Sequence, residues 1–302
     1  MQSRLLLNIM LLALVIALSM IAYRSTDKDA DKVIPLTMLA PDSISEIHIR
    51  HNQRETELRK QGDRWVMTQP IRINANNFRI NTLLKLLTTT SQADYAIDGL
   101  DLAKYGLDQA ATSIRFNDSE IAFGISNPVS GLRYVRVGDR VHLIDDSFYP
   151  LLSSQTGALV ARELLPQDAD VSKLVLPEIT LSRNPDGSWR SDKNAGADAI
   201  GQTLDNWKHV QAFGVHNYMQ RKSLARIEVY LGDEPEPLRF VVTDTDPWLI
   251  IARPELDLEY HFKLEDYDAL LRPGADDKHI HADAPEDIIR ESTDTTGSAE
   301  HL

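Results

Sequence analysis

Histidine and aspartate side chains close to the C-terminus are the first residues whose types could do chemistry. His279 and His281 lie in the run DDKHIHAD, surrounded by Asp276, Asp277 and Asp283. Imidazole and carboxylate groups bind divalent metal ions, so the run suggests a loose metal site. Its alternating spacing in a polar segment gives no preorganised geometry, and no neighbouring group supports the ligands. We therefore interpret the run as a solvated tail and predict no metal.

The other motifs that mark enzymes are missing from the sequence. The remaining histidines never form HExxH, and neither GxSxG, GxGxxG nor GxxxxGK[ST] occurs. The absence of cysteine excludes thiolate nucleophiles, thiolate metal sites and disulfides. Acidic pairs in DTDPW and ELDLEY leave hydrolysis by converging carboxylates as a third hypothesis, behind two binding functions. We predict a protein that is not an enzyme and has no cofactor.

A polar patch in RYVR is the first candidate for recognition. Asn127, Pro128 and Gly131 form a loop that leads into a strand carrying Tyr134 and Arg136. Side chains two apart on a strand share a face, so Tyr134 and Arg136, with Arg133 at the loop edge, are predicted to bind a partner. The alternative is that these side chains only pair across an exposed sheet.

A long apolar run lies at the N-terminus. Leu5 to Tyr23 is free of charges, and a helix of this length measures roughly 28 Å, about one hydrocarbon thickness. The run predicts a transmembrane helix, with a cleaved signal ending near Ala17 and Ser19 as the alternative. The predicted location is the bacterial inner membrane, with a single pass, the N-terminus inside and the C-terminal domains in the periplasm. The net charge of -13 argues against nucleic acid as a partner.

The elements that position these residues follow from hydrophobic periodicity. SISEIHIRH alternates as a strand does, and RETELRKQGDRWVMTQP predicts a hairpin around Gly62. A helix with one apolar face follows, since Ile80, Leu83, Leu84 and Leu87 are spaced by three or four residues. TSIRF, EIAFGI, RYVRVGD and RVHLIDD then predict four further strands.

The second half of the chain repeats this order. Trp189 in NPDGSWRSD corresponds to Trp65, and Trp207 lies on a helix that corresponds to the first one. Matched positions are separated by about 120 residues, a period too long for a solenoid and typical of two tandem domains. Trp65, Trp189 and Trp207 are predicted to be core residues, with a solvent-facing indole that stacks on a sugar as the alternative.

We therefore predict an α+β fold with a transmembrane helix, two duplicated domains of antiparallel sheet plus helix, and a disordered acidic tail. The predicted limits are 1–24 for the anchor, 25–42 for a linker, 43–165 and 166–274 for the two domains, and 275–302 for the tail.

Three motifs carry a resemblance to a known family. They are the G-x-x-W-x-x-x-x-P hairpin from Gly62 to Pro70, the YGLD turn from Tyr105, and NPVSGLRYVR followed by VHLIDDS. The chain resembles the bacterial domain-of-unknown-function family found with auxiliary components of gliding-motility-type ABC transporters. The resemblance covers approximately residues 44 to 270 and is strongest in the first copy. The second copy lacks YGLD and has SWRSD in place of WVMTQP.

The resemblance implies a membrane-anchored, extracytoplasmic accessory protein without catalytic residues, beside an ABC-2-type permease, an ATPase and a larger soluble partner. The leading hypothesis is accordingly an accessory or scaffold subunit of an ABC-type transport complex that acts by protein binding. The alternative is a periplasmic module that binds a glycan or a lipid of the cell envelope.

Overall fold

The computed structural model describes residues 10–12, 14–20 and 34–274. In this part of the chain, residues group into two compact units. The first unit runs up to Arg72 and continues over Asn77–Ser154, and the second combines Ile73–Asn76 with the chain from Gln155 onward. The sequence analysis placed the limit between the domains at 165/166, and that limit stays a prediction.

The first unit is built on an antiparallel sheet. Eight of its strands follow the order β4-β3-β2-β8-β9-β10-β11-β7, and β1 pairs separately with β6. Helix α1 follows β4, and the short helix α2 follows β11. The bounds are β1 Ile34–Pro35, β2 Glu46–His51, β3 Arg54–Gln61, β4 Arg64–Gln69, β6 Thr90–Ser91, β7 Ala93–Ala96, β8 Thr112–Phe116, β9 Ser119–Ser126, β10 Arg133–Val137, β11 Arg140–Ile144, α1 Asn77–Leu84 and α2 Tyr149–Leu152.

Trp65 lies at the start of β4, where α1 packs against that strand. Only 3% of Trp65 is exposed, and its backbone N–H donates to Oδ1 of Asn77 over 3.1 Å. Ile80 and Leu83 of α1 are fully buried. The apolar face read from the helical period is therefore the face that closes the core around this end of the sheet.

The second unit has its own antiparallel sheet, in the order β14-β13-β12-β16-β17-β18-β19-β15. Trp207 of helix α3 is fully buried, lies edge-on to Phe240 with 5.3 Å between ring centroids, and donates from Nε1 to the Leu270 carbonyl over 2.8 Å. The bounds are β5 Ile73–Asn74, β12 Val171–Val175, β13 Thr180–Arg183, β14 Trp189–Ser191, β15 Gly214–Asn217, β16 Ala225–Leu231, β17 Leu238–Thr245, β18 Trp248–Arg253, β19 Leu258–Lys263, α3 Ala197–His209 and α4 Asp266–Leu271.

The two sheets share one connectivity. In each unit a three-stranded meander lies at one side, a helix follows its last strand, and a four-stranded meander completes the sheet beside a strand that comes earlier in the chain. Thus β4, β10 and α1 of the first unit correspond to β14, β18 and α3 of the second. This correspondence allows the two units to be compared residue by residue.

The predicted α+β class is wrong, because the described residues are mostly β-sheet. Three antiparallel sheets account for the architecture, and α1, α2, α3 and α4 have only 8, 4, 13 and 6 residues. The prediction was two duplicated domains, each of antiparallel sheet plus helix. Short polar strands such as β7 and β15 carry too little alternation to be recognised from the sequence, so the strand content was underestimated.

The predicted membrane topology is also corrected. Within residues 10–12, 14–20 and 34–274, no helix is long and apolar enough to cross a membrane. This finding contradicts the transmembrane helix predicted at Leu5 to Tyr23 and the single-pass inner-membrane location that rested on it. Residues 10–12 and 14–20 are helical, and the remainder of that run lies outside the described residues. The predicted acidic tail, with His279 and His281, also lies outside them.

Candidate functional site

The three residues of the predicted patch lie on β10 but do not share a face. Val135 is fully buried and points to the core, so alternation places Arg133 on the core side and Tyr134 with Arg136 on the other side. All three are half-buried. The structure therefore brings Tyr134 and Arg136 together and separates Arg133 from them.

Arg133 is held by an internal network. Its guanidinium donates to both carboxylate oxygens of Asp146, with 2.9 Å from Nη2 to Oδ2, and also to the Gly124 carbonyl. It stacks on the ring of Tyr149, 3.6 Å from the centroid. Ser126 adds a hydrogen bond to Asp146 over 2.8 Å. The guanidinium donors of Arg133 are thus engaged inside the unit, and its role in binding a partner stays a prediction.

The charge state of Asp146 follows from this network. Partial burial raises the pKa of Asp146, but the hydrogen bonds from Arg133 and Ser126 and the positive charge of Arg133 outweigh it. The net result is a pKa below the usual range for aspartate. Asp146 is therefore ionised at neutral pH, and the ion pair with Arg133 is fully formed.

A β-bulge lies next to this ion pair. Ser126 pairs with Arg133 and Phe123 pairs with Val135, so Gly124 and Ile125 both lie opposite Tyr134. A side chain on Gly124 would place its Cβ 2.1 Å from the Tyr105 carbonyl oxygen, so only glycine fits. The bulge turns Ile125 outward, where half of it is exposed.

The loop after the bulge, residues 127–132, is fixed by Asn127. Oδ1 of Asn127 accepts from the backbone N–H groups of Val129 and Ser130 over 2.9 and 3.2 Å. Its backbone N–H donates to Leu132 over 2.6 Å, and its carbonyl accepts from Gly131 over 2.9 Å. The loop is thus rigid, and at its tip Val129 is 94% exposed.

Two tyrosines complete the surface. Nδ2 of Asn127 donates to the hydroxyl of Tyr134 over 2.8 Å, and the Tyr134 ring packs on Tyr105 with 4.8 Å between centroids. Tyr105 precedes Gly106, whose positive φ of 68° ends a short 3-10 helix and suits glycine. We define the loop surface as Tyr105, Ile125, Asn127, Val129 and Tyr134. Arg136 lies beyond Tyr134 on the same face, and its side chain makes no hydrogen bond or ion pair with any described residue.

The loop surface is mainly apolar and aromatic. It combines exposed aliphatic groups with tyrosine rings and a nearby arginine, a composition that is enriched at protein interfaces. In residues 34–274 and the two short N-terminal stretches, no group of three or more His, Cys, Asp or Glu side chains could hold a metal ion.

The sequence analysis missed a polar cluster on the second sheet. Glu259 of β19 is fully buried and accepts from Nη1 of Arg221 over 2.7 Å, from Nε2 of His261 over 2.8 Å, and from the backbone N–H of Met219 over 3.1 Å. Burial raises the pKa of Glu259, but these hydrogen bonds and the charge of Arg221 bring it below the usual range. Alternation in LEYHFK places Glu259 and His261 on one face, and this pattern is the sequence signal that could have predicted their proximity.

Exposed aromatic rings border this cluster. Phe213 and Trp248 are 48% and 46% exposed and pack edge-on, with 5.0 Å between centroids. Phe213 also lies edge-on to His261, with 6.0 Å between centroids. Glu259 is a buried anchor for the segment that contains Arg221, and Phe213 with Trp248 form a small apolar surface of the second unit.

The predicted core tryptophans differ in burial. Trp65 and Trp207 are buried, whereas Trp189 is only half-buried. Trp189 lines a groove of about 420 Å³ between β14 and α3. Ala197 and Gly201 of α3 line the same groove. We call it the Trp189 groove.

Two β-rich units of one connectivity, each built on an antiparallel sheet, define the class of the fold. The chain belongs to the family described as domain of unknown function DUF4340, whose profile matches residues 65–240. The matched range contains the loop surface and the Trp189 groove. No curated protein and no solved structure shows significant similarity to the chain.

Proposed function

We propose that the protein acts by binding other proteins, as an accessory or scaffold subunit of an ABC-type transport complex. The loop surface of the first unit is the proposed contact site. The transport context rests on the resemblance of the YGLD and NPVSGLRYVR motifs to the family found with gliding-motility-type transporters. A permease and an ATPase of such a transporter are the proposed partners.

One observation carries the binding role: a rigid loop holds an aliphatic side chain almost entirely in solvent. Val129 is 94% exposed, while Asn127 fixes the backbone on both sides of it. Exposing a valine in water gives no gain to the isolated fold, and ordering a loop costs conformational entropy. A partner that covers Val129 removes the valine side chain from water. Because the loop is already ordered, binding adds no further cost of loop ordering.

The neighbouring residues extend this surface. Ile125 is half-exposed beside Gly106, and the ring of Tyr105 supports Tyr134 from the side. Arg136 has its donors available for a carboxylate or carbonyl of the partner. Tyrosine and arginine beside aliphatic groups are the residues that most often dominate binding energy.

Co-purification with matched variants tests the proposal. The tagged chain is purified under mild conditions from cells that contain its natural partners, and the recovered proteins are quantified by mass spectrometry. Val129→Asp places a charge at the loop tip, and Met38→Asp makes the same change at a residue that is 93% exposed elsewhere in the unit.

We expect the unmodified chain and Met38→Asp to recover a transporter permease and ATPase in near-stoichiometric amounts. Val129→Asp should recover roughly tenfold less, equivalent to about 1.4 kcal/mol of binding free energy. Arg136→Ala should reduce recovery without changing the melting temperature, because the Arg136 side chain makes no hydrogen bond or ion pair with the described residues. Equal recovery by Val129→Asp and Met38→Asp would show that the loop surface is not the contact site.

A further inference from the structure

The Trp189 groove is lined by small residues as well as by the indole. Trp189 is the first residue of β14, and Ala197 and Gly201 are the small residues that α3 contributes to the lining. A Cβ added to Gly201 would meet no atom within 4 Å. The groove therefore has open space beside Gly201, Trp189 is only half-buried in its wall, and the volume of about 420 Å³ is within the size range of small-molecule sites.

Unengaged polar groups border the exposed indole. Lys208 and Asp205 lie on the groove side of α3, and neither side chain makes a hydrogen bond or ion pair with the described residues. The indole N–H of Trp189 likewise has no acceptor in the described part of the chain. One ammonium, one carboxylate and one indole N–H are thus available as donors and acceptors around an apolar ring.

An ion pair between Arg183 and Asp170 also lines the groove. Arg183 donates from Nη1 and Nη2 to the two carboxylate oxygens of Asp170, over 2.6 and 3.1 Å. This pair engages both Nη atoms of Arg183 and orients the Asp170 carboxylate. Lys208 is the one lining cation outside this hydrogen-bonded pair; after the hydrogen bond from Arg183, the charge of Lys208 also contributes to the lowered pKa of Asp170.

This balance of charge selects among ligand classes. A phosphate or another anion would meet two carboxylates and a single available cation, so anionic ligands are disfavoured. An acyl chain would leave Lys208, Asp205 and the indole N–H without partners on burial. A sugar ring, by contrast, stacks its C–H face on an indole and offers hydroxyl groups that both donate and accept.

We infer that the Trp189 groove binds an uncharged oligosaccharide, with Trp189 as the stacking platform and Asp205 and Lys208 as hydrogen-bonding partners for its hydroxyl or acetamido groups. This site is independent of the loop surface and of the proposed transport role.

Fluorescence titration of the full chain tests the inference. The probes are the tetrasaccharides of β-1,4-linked N-acetylglucosamine and of β-1,4-linked glucose. Trp248→Phe is used as background, because Trp248 is the other exposed indole, whereas Trp65 and Trp207 are buried. We expect a saturable change in emission with at least one tetrasaccharide, since a sugar that covers Trp189 replaces water around it.

Two substitutions locate the binding site. Gly201→Leu fills the groove from the helix side and replaces glycine by a better helix former, so the fold should keep its melting temperature. Trp189→Phe keeps an aromatic ring but removes the indole N–H and part of the stacking area. Gln202→Ala changes the neighbouring exposed residue on the same helix and serves as the control.

Gly201→Leu should weaken binding at least tenfold, Trp189→Phe severalfold, and Gln202→Ala not measurably. Saturation-transfer NMR on the sugar protons reports the same interaction without relying on tryptophan. The inference is overturned if neither tetrasaccharide binds, or if Gly201→Leu binds as the background protein does. Val129→Asp should leave sugar binding unchanged, which separates this result from the fate of the loop surface.

Discussion

Trp65 and Trp189 occupy corresponding places in the two units, near the start of the third strand of a meander and beside the helix that follows it. In the first unit the aliphatic face of α1 and the bond from Trp65 to Asn77 close the site, leaving 3% of Trp65 exposed. In the second unit the indole of Trp189 is only half-buried and lines a groove together with Ala197 and Gly201. The same scaffold position thus serves packing in one unit and offers a surface in the other.

Removing each indole is the strongest way to break this comparison. Trp65→Ala should cost about 3 to 5 kcal/mol of unfolding free energy, because it leaves a large cavity in a sealed core. Trp189→Ala should cost roughly 1 kcal/mol, since much of the ring is already in contact with water. Urea unfolding monitored by circular dichroism measures both values. Equal costs would mean that the Trp189 groove is closed in solution.

The bulged hairpins give a second contrast between the units. Gly124 in the first unit corresponds to Thr243 in the second, where a bulge also interrupts pairing of β17 with β18. Gly124→Ala should destabilise by about 2 to 3 kcal/mol, since its Cβ would overlap the Tyr105 carbonyl. Thr243→Ala should cost less than about 1.5 kcal/mol. If Gly124→Ala is tolerated as well as Thr243→Ala, the close approach of Tyr105 is not a constraint.

The ion pair under the loop surface is specific to the first unit, because Leu249 stands where Arg133 does. Asp146→Asn should cost about 2 kcal/mol at pH 7, by removing charged hydrogen bonds to Arg133. The pKa of Asp146 is below its unfolded value, so this stabilisation is present above about pH 4 and is lost as the pH falls through the folded pKa. The gap between the variant and the unmodified chain should therefore shrink toward pH 3. A gap that stays constant with pH would contradict the assignment.

The smallest expected effect is a change in stability at α3, the helix that corresponds to α1 of the first unit. Gly201→Ala should stabilise the second unit by up to about 1 kcal/mol, because glycine is a poor helix former and the added methyl group meets no atom. Thermal unfolding should show a higher melting temperature, with Gln202→Ala as the reference substitution. A lower melting temperature would mean that the groove side of α3 is packed against other residues.

Parts of the fold could be predicted from the sequence because they depend on local periodicity. The strands in TSIRF and RVHLIDD and the apolar face of α1 follow from residue spacing, and the structure places strands and a helix there. The class of the fold could not be predicted in the same way. It depends on how many weakly patterned segments join the sheets, and pairing between distant strands decides that.

The candidate site shows the same limit at the level of side chains. Alternation placed Tyr134 and Arg136 on one face. The ion pair between Arg133 and Asp146, however, depends on contact between a strand and a turn 13 residues further on. The groove beside Trp189 is lined by residues of a different element, among them Ala197 and Gly201 of α3. Such contacts between elements are set by the tertiary structure, which local patterns do not encode.

The short segment Ile73–Asn76 has a consequence for how the chain can be divided. It precedes α1 of the first unit, yet several of its partners lie in the second: Asn74 accepts from Ala161 over 2.9 Å, Ala75 pairs with Val160, and Asn76 donates to Leu159 over 2.8 Å. A single proteolytic cut between Ser154 and Gln155 therefore cannot release a complete C-terminal fragment. During synthesis, the same segment emerges long before its partners, so completion of the second unit must await residues 159–161.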